Sequence, residues 1–120
     1  MPANGFFDIE QHGDTMILTP TADMGELEFD RFSDGMKTVL DTLEHAAARN
    51  LLLDFHKTTY FGSTALGFFV RLWKVICDRK GRMAFCNLTA HQKEILQVTK
   101  LDGLWDLCET RESALKRLGS

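Results

Sequence analysis

Asp54-Phe55-His56-Lys57-Thr58-Thr59-Tyr60-Phe61-Gly62-Ser63-Thr64-Ala65-Leu66-Gly67 is the stretch on which the reading of this chain turns. It leads from a short apolar strand, Leu51 to Phe55, across a polar turn to two adjacent hydroxyls at the mouth of a helix. That helix is the most apolar segment of the sequence. A hydroxyl at a helix N-terminus faces unpaired backbone N–H groups and the positive end of the dipole, so a phosphate placed there is tolerated and can carry a switch. The plainer role for Ser63 or Thr64 is to cap the helix, as Ser and Thr at such positions commonly do. Both readings stand at this stage.

Upstream, Phe6 to Glu10 and Thr15 to Thr19 read as two strands about a turn at Gly13-Asp14. Residues 20–28 form a loop. Phe29, Phe32, Met36, Val39, Leu40, Leu43 and Ala47 then recur at helical spacing, with Asn50 as the stop. Leu51 to Phe55 is continuously apolar, the pattern of a strand buried on both faces. The next helix is predicted from about Thr64 to Lys80, ended by Gly81 as its C′ residue. Met83 to Leu88 reads as a buried strand. Thr89-Ala90-His91-Gln92 is a capping box opening a helix with Ile95, Leu96 and Val98. Leu104 to Cys108 forms a last strand, and Thr110 caps a terminal helix bearing Ala114, Leu115 and Leu118. This alternation predicts one α/β domain over residues 1–120, with a mixed, mostly parallel sheet of about five strands and about four helices.

The chain has 120 residues, 44% hydrophobic and 26% charged, which is ordinary for a domain with a real core. A net charge of −3 with no basic run argues against a nucleic-acid surface. No signal peptide or membrane-spanning run is visible, and a cytoplasmic location is expected. Cys77, Cys86 and Cys108 are scattered, with no Cys-x-x-Cys, and read as reduced buried thiols. His12, His45, His56 and His91 lack ligand spacing, so no metal and no cofactor is expected. Asp54 and His56 read as a solvated pair at a strand end.

Two enzymatic readings fail on spacing. Gly62 and Gly67 give the glycine interval of a phosphate-binding loop, yet Phe68-Phe69 stand where lysine and a hydroxyl are needed. Ser63 as a nucleophile on a tight elbow would want glycine at both positions two residues away, which are Phe61 and Ala65. Only His91 lies downstream to serve as a base. The helix itself is apolar around most of its circumference, broken between residues 65 and 77 by Gly67, Arg71 and Lys74. Beyond the face on the sheet, the surplus either meets a neighbouring helix or forms a patch for a partner through Phe68, Phe69 and Trp73. The composition leaves a homodimer open.

Residues 54–67, followed by Arg79-Lys80-Gly81-Arg82-Met83, Asn87-Leu88-Thr89 and Val98-Thr99-Lys100-Leu101-Asp102-Gly103-Leu104-Trp105, resemble the STAS domain of bacterial anti-sigma factor antagonists. The resemblance runs without a gap from 54 to 105. It places the family's phosphoacceptor on Thr64, with Ser63 beside it, and departs at Gly62 (aspartate in the family) and at Ala65 (glycine in the family). A weaker match around residues 22–28 points to Asp23 as a partner contact.

The resemblance implies a non-catalytic protein whose partner is an anti-sigma factor, itself often a Ser/Thr protein kinase, released by phosphorylation at Thr64. A STAS-like module that is never phosphorylated, with Thr64 as a cap, is the alternative; a nucleotide-binding enzyme using the 62–67 loop is the more remote one. Gly62 either shapes the corner through backbone angles closed to other residues or marks a branch of the family with a different kinase or none.

Overall fold

A computed structural model describes residues 7–21 and 29–119, with the backbone alone for 29–33, 63 and 64. The chain opens as the expected hairpin. β1 (Phe7–His12) and β2 (Thr15–Pro20) are antiparallel, closed at His12↔Thr15 by Gly13-Asp14, and Gly13 takes the positive φ (58°) that so short a turn requires. Three strands follow, each parallel to its predecessor: β3 (Asn50–Asp54), β4 (Met83–Cys86) and β5 (Asp106–Cys108). They lie in the sheet in chain order, β1-β2-β3-β4-β5. The connections carry α1 (Phe29–His45), α2 (Ser63–Asp78) and α3 (Ala90–Val98), and α4 (Arg111–Leu118) closes the chain. Among the described residues, the five strands and four helices are those that the alternation predicts.

Strand alternation sorts the core into two layers. Met16, Leu18, Leu51, Leu53, Met83 and Phe85 meet Met36, Val39 and Leu43 of α1, the α2 face and Leu96 of α3. On the opposite face Ile17, Leu52, Ala84 and Cys86 meet Ala114 and Leu118 of α4. Leu51, Leu52, Leu53 and Asp54 are therefore all buried, as an uninterrupted apolar strand requires.

α2 resolves the surplus of apolar residues. Phe68, Phe69, Leu72 and Ile76 are at most 1% exposed. Phe69 meets Phe55, Phe61 and Phe85 edge-on at centroid distances of 5.7, 5.4 and 5.4 Å, and Phe68 lies 5.6 Å from Phe7. The expectation that Phe68 and Phe69 meet a partner is thus corrected: neither ring reaches the surface, because the helix lies on the sheet along that side. Leu66, Val70, Trp73 and Val75 are half-buried against the same core, and the outward stripe is Gly67, Arg71, Lys74, Cys77 and Asp78. Cys77 is exposed there, not buried as its apolar surroundings in sequence suggested.

Element ends differ from the reading in instructive ways. α1 stops at His45, leaving Ala47 exposed and Asn50 as the first residue of β3. Arg79 reaches across to donate to the carbonyls of Leu43, Glu44 and Ala48 at 2.6, 3.0 and 2.6 Å, so a cation covers the carbonyl end of α1. α2 ends at Asp78, and the left-handed residue after it is Lys80 (φ 57°), not Gly81. Lys80 N–H donates to Cys77 and Gly81 N–H to Ile76, the paired bonds of a Schellman ending. Val98 projects from the end of α3, 76% exposed. β5 starts only at Asp106; Trp105 before it is buried and stacks on Phe85 at 4.8 Å, while Leu104 is exposed.

Candidate functional site

β3 ends and α2 begins on either side of the 55–62 loop, so the corner holding Ser63 and Thr64 stands at the carboxyl end of the parallel strands. That is where open α/β sheets bind their ligands. The N-cap of α2 is Gly62, with φ −101° and ψ −171° and no side-chain hydrogen bond to the helix. Two sequence readings are settled by this. Ser63 and Thr64 are not caps, since they are the first two helical residues. Gly62 sits in ordinary extended backbone that any residue adopts, so it does no special backbone work.

α2 therefore starts without an N-cap side chain. Thr89 and Thr110 close α3 and α4 with capping boxes, whereas the N-cap of α2 is a glycine and its first turn has no acidic residue. A first helical turn leaves its N–H groups without intrahelical partners, and with the positive dipole end they favour an anion. Ala65, the third residue, is fully buried, and a methyl group fits where the family has glycine.

The loop is held at its base by a buried carboxylate. Asp54 is 2% exposed, not a solvated partner of His56. Its Oδ1 accepts from the backbone N–H of His56 (3.0 Å), lies 3.0 Å from His56 Nδ1 and accepts from Asn87 Nδ2 (2.9 Å). Its Oδ2 accepts from Arg111 Nε (2.9 Å), and Arg111 Nη1 goes on to Glu10 of β1 at 3.3 Å. Burial would raise the Asp54 pKa; the hydrogen bonds from Asn87, His56 and Arg111 outweigh it and pull it down to about 2. Because that pKa lies below its value in the unfolded chain, the stabilisation is complete above about pH 4 and drains away as pH falls toward 2. Acid titration of thermal stability should show a loss on the order of 2 kcal/mol across that window. Asp54→Asn should flatten the window; an unchanged slope would remove the carboxylate from this role.

Further along, Thr58 N–H donates to Phe55 O (3.2 Å), and the buried Gln92 donates from Nε2 to Thr58 O (3.4 Å). The same glutamine closes the capping box of α3, accepting from Thr89 N–H at 2.8 Å. Phe61 is buried edge-on to Phe55 and Phe69. Between these two anchors Tyr60 stands 43% exposed.

Of the residues singled out in sequence, Gly62, Ser63, Thr64 and Ala65 form the corner. Asp23 lies outside the described residues. Trp73 is half-buried, nine positions along the helix from Thr64, roughly 14 Å by helical rise. It lines a cleft of about 210 Å³ with Arg82, Leu104, Trp105 and Asp106, apart from the corner. Sequence reasoning passed over Arg111 and Tyr60, and it read Gln92 only as part of a capping box and not as a tie to Thr58. For Arg111, 57 positions from its carboxylate, there was no signal to find. Tyr60 had one: it is the single tyrosine, set in a polar turn.

Comparison with known proteins accords with this geometry. Among solved structures, a Thermotoga maritima protein solved as a candidate anti-sigma factor antagonist is 22% identical, with TM-score 0.82 and 95% of each chain covered. An anti-sigma factor antagonist (STAS) domain protein from Planctomyces limnophilus is 24% identical, with TM-score 0.80 over 95% of this chain and 98% of that one. The Bacillus cell fate determinant SpoIIAA in its phosphorylated form is 17% identical, with TM-score 0.67 over 92% of this chain and 97% of that one. At these identities the likeness is one of fold. The STAS domain family model matches residues 6–114, nearly the whole of the chain, which therefore belongs to the STAS domain family.

Proposed function

We propose that this protein is a non-catalytic anti-sigma factor antagonist that binds an anti-sigma factor kinase in the cytosol and is released when Thr64 is phosphorylated. The observation that carries the reading is the start of α2: Thr64 is the second residue of a helix whose N-cap is a glycine and whose first turn holds no acidic group. A phosphate there meets the first-turn N–H groups, which a helix leaves without intrahelical partners, and the positive end of its dipole. That SpoIIAA, of the same fold, has a phosphorylated form supports the reading. The nucleotide alternative loses ground, because Phe68 and Phe69, at the positions a phosphate-binding loop gives to lysine and a hydroxyl, lie in the core.

The mechanism is electrostatic. In the free domain the dipole returns about 0.3–1 kcal/mol to an anion at the helix start, so the fold is retained. Inside an interface, a group of roughly −1.5 to −2 charge with no cation opposite costs several kcal/mol in desolvation. Three to four kcal/mol corresponds to roughly several-hundred-fold in affinity.

The test is to incubate the protein with purified anti-sigma factor kinases from the same organism and magnesium ATP, then map phosphosites by mass spectrometry and measure binding. Thr64→Glu should weaken binding by about a hundredfold or more while the thermal midpoint moves by no more than about 3 °C. Thr64→Ala should bind and not be released. Equal affinity for wild type, Thr64→Glu and the phosphorylated protein would exclude the switch.

A further inference from the structure

Among the described residues, the well-exposed large apolar side chains are Tyr60 (43%), Leu104 (42%) and Val98 (76%). Val98 and Leu104 flank the end of α3, away from the corner. Tyr60 stands three residues before Ser63, on the segment that delivers the chain into α2. Its neighbours on both sides are fixed. Thr58 is buried and tied through its backbone to Phe55 and Gln92, and Phe61 is wedged between Phe55 and Phe69. The ring is thus carried on a short tip whose ends cannot wander.

An exposed aromatic is costly to leave in water, and one on an anchored tip loses little further freedom when a partner covers it. Tyrosine adds a hydroxyl that wants a partner once buried, which is why it recurs at the centres of interfaces. Around it the tip is polar: Lys57, 48% exposed, is paired among the described residues with Asp8 of β1 at 3.4 Å, and His56 is 45% exposed. The surface is therefore a single large ring rimmed by polar and basic groups.

We propose that Tyr60 is the anchor by which the partner grips the Thr64 corner, seating its ring in an apolar pocket of the partner that has an acidic rim facing Lys57. This rests on the partner-switching reading above and adds to it the residue that sets affinity. Phosphorylation then acts beside the anchor: the ring supplies the grip, and the phosphate four residues on from it makes the seated arrangement unfavourable.

Calorimetric titration of the full-length protein against the purified anti-sigma factor kinases of the same organism tests it. Tyr60→Ala should weaken binding by about thirtyfold or more, the loss expected of a central aromatic anchor. Tyr60→Phe should fall between Tyr60→Ala and wild type, because it keeps the ring and loses the hydroxyl. Val98→Ala, which removes a more exposed apolar side chain remote from the corner, should bind as wild type does. Thermal midpoints should stay within about 2 °C throughout, as for surface substitutions. If Tyr60→Ala disturbs the loop, Tyr60→Gln with an amide correlation spectrum confined in its changes to residues 58–62 serves instead. Wild-type binding with Tyr60→Ala within twofold would overturn the anchor and leave the switch standing. Wild-type protein that binds no such kinase and acquires no phosphate would overturn both. A change in self-association without a change in kinase affinity would also overturn the anchor, assigning the ring to a second copy of the chain.

Discussion

Phe69→Ala should cost about 3–5 kcal/mol, among the largest effects a single substitution in this chain can have. The ring is fully buried and meets Phe55, Phe61 and Phe85 edge-on at the distances aromatic pairs favour, with Phe68 tilted beside it at 6.1 Å. Removing it leaves a cavity that the surrounding rings cannot fill, since Phe55 and Phe85 are themselves stacked at 5.6 Å and Phe85 is stacked on Trp105. Denaturant unfolding would read the loss as a fall in midpoint with an unchanged slope. Arg71→Ala on the outward stripe of the same helix should stay within about 0.5 kcal/mol. A Phe69→Ala protein as stable as wild type would place the ring outside the core. The comparison also guards against a false conclusion, because lost partner binding by this variant would report a damaged fold and not a missing contact.

Gly81→Ala should be comparably severe, at about 3 kcal/mol or more, for a different reason. A methyl group on Gly81 would lie 1.7 Å from the carbonyl oxygen of Arg49 and 2.8 Å from its carbon. Backbone cannot step aside as a side chain can, and this backbone is pinned. Arg49 and Asn50 both donate to Asp14 O (2.8 and 3.0 Å), and Leu51 donates to Arg82 O (3.0 Å). Lys80→Gly should go the other way, gaining up to about 1 kcal/mol, because Lys80 and not Gly81 holds the left-handed position. Thermal melts of the two variants side by side check both signs. A tolerated Gly81→Ala would mean that the α2–β4 turn retreats from Arg49.

These two variants mark where the sequence could be read and where it could not. The capping box of Thr89 and Gln92 was legible because both partners lie within one turn, and the strands were legible because burial on one or both faces leaves a pattern along a few residues. Gly81 was read as a glycine that ends a helix, a local cue, while its actual constraint comes from Arg49, 32 positions away. The apolar girth of α2 was visible, but its cover was not: half-buried Leu66, Val70, Trp73 and Val75 depend on neighbours that periodicity cannot name. At the corner, the position of Thr64 in the first turn was legible to within one residue. The buried Asp54 was mistaken for a solvated one, since Asn87 and Arg111 come from 33 and 57 positions downstream.

The strand order has a consequence for how the molecule is made. Because the sheet runs β1 to β5 in chain order, each strand that leaves the ribosome finds its only upstream neighbour already present, and no gap is held open for a later segment. Growth proceeds from one edge to the other through crossovers of moderate length, an arrangement that avoids the long-range closures that slow parallel sheets. Asp54 must wait for its partner. Its arginine lies 57 positions downstream, so the base of the 55–62 loop is locked only once α4 has been made and docks.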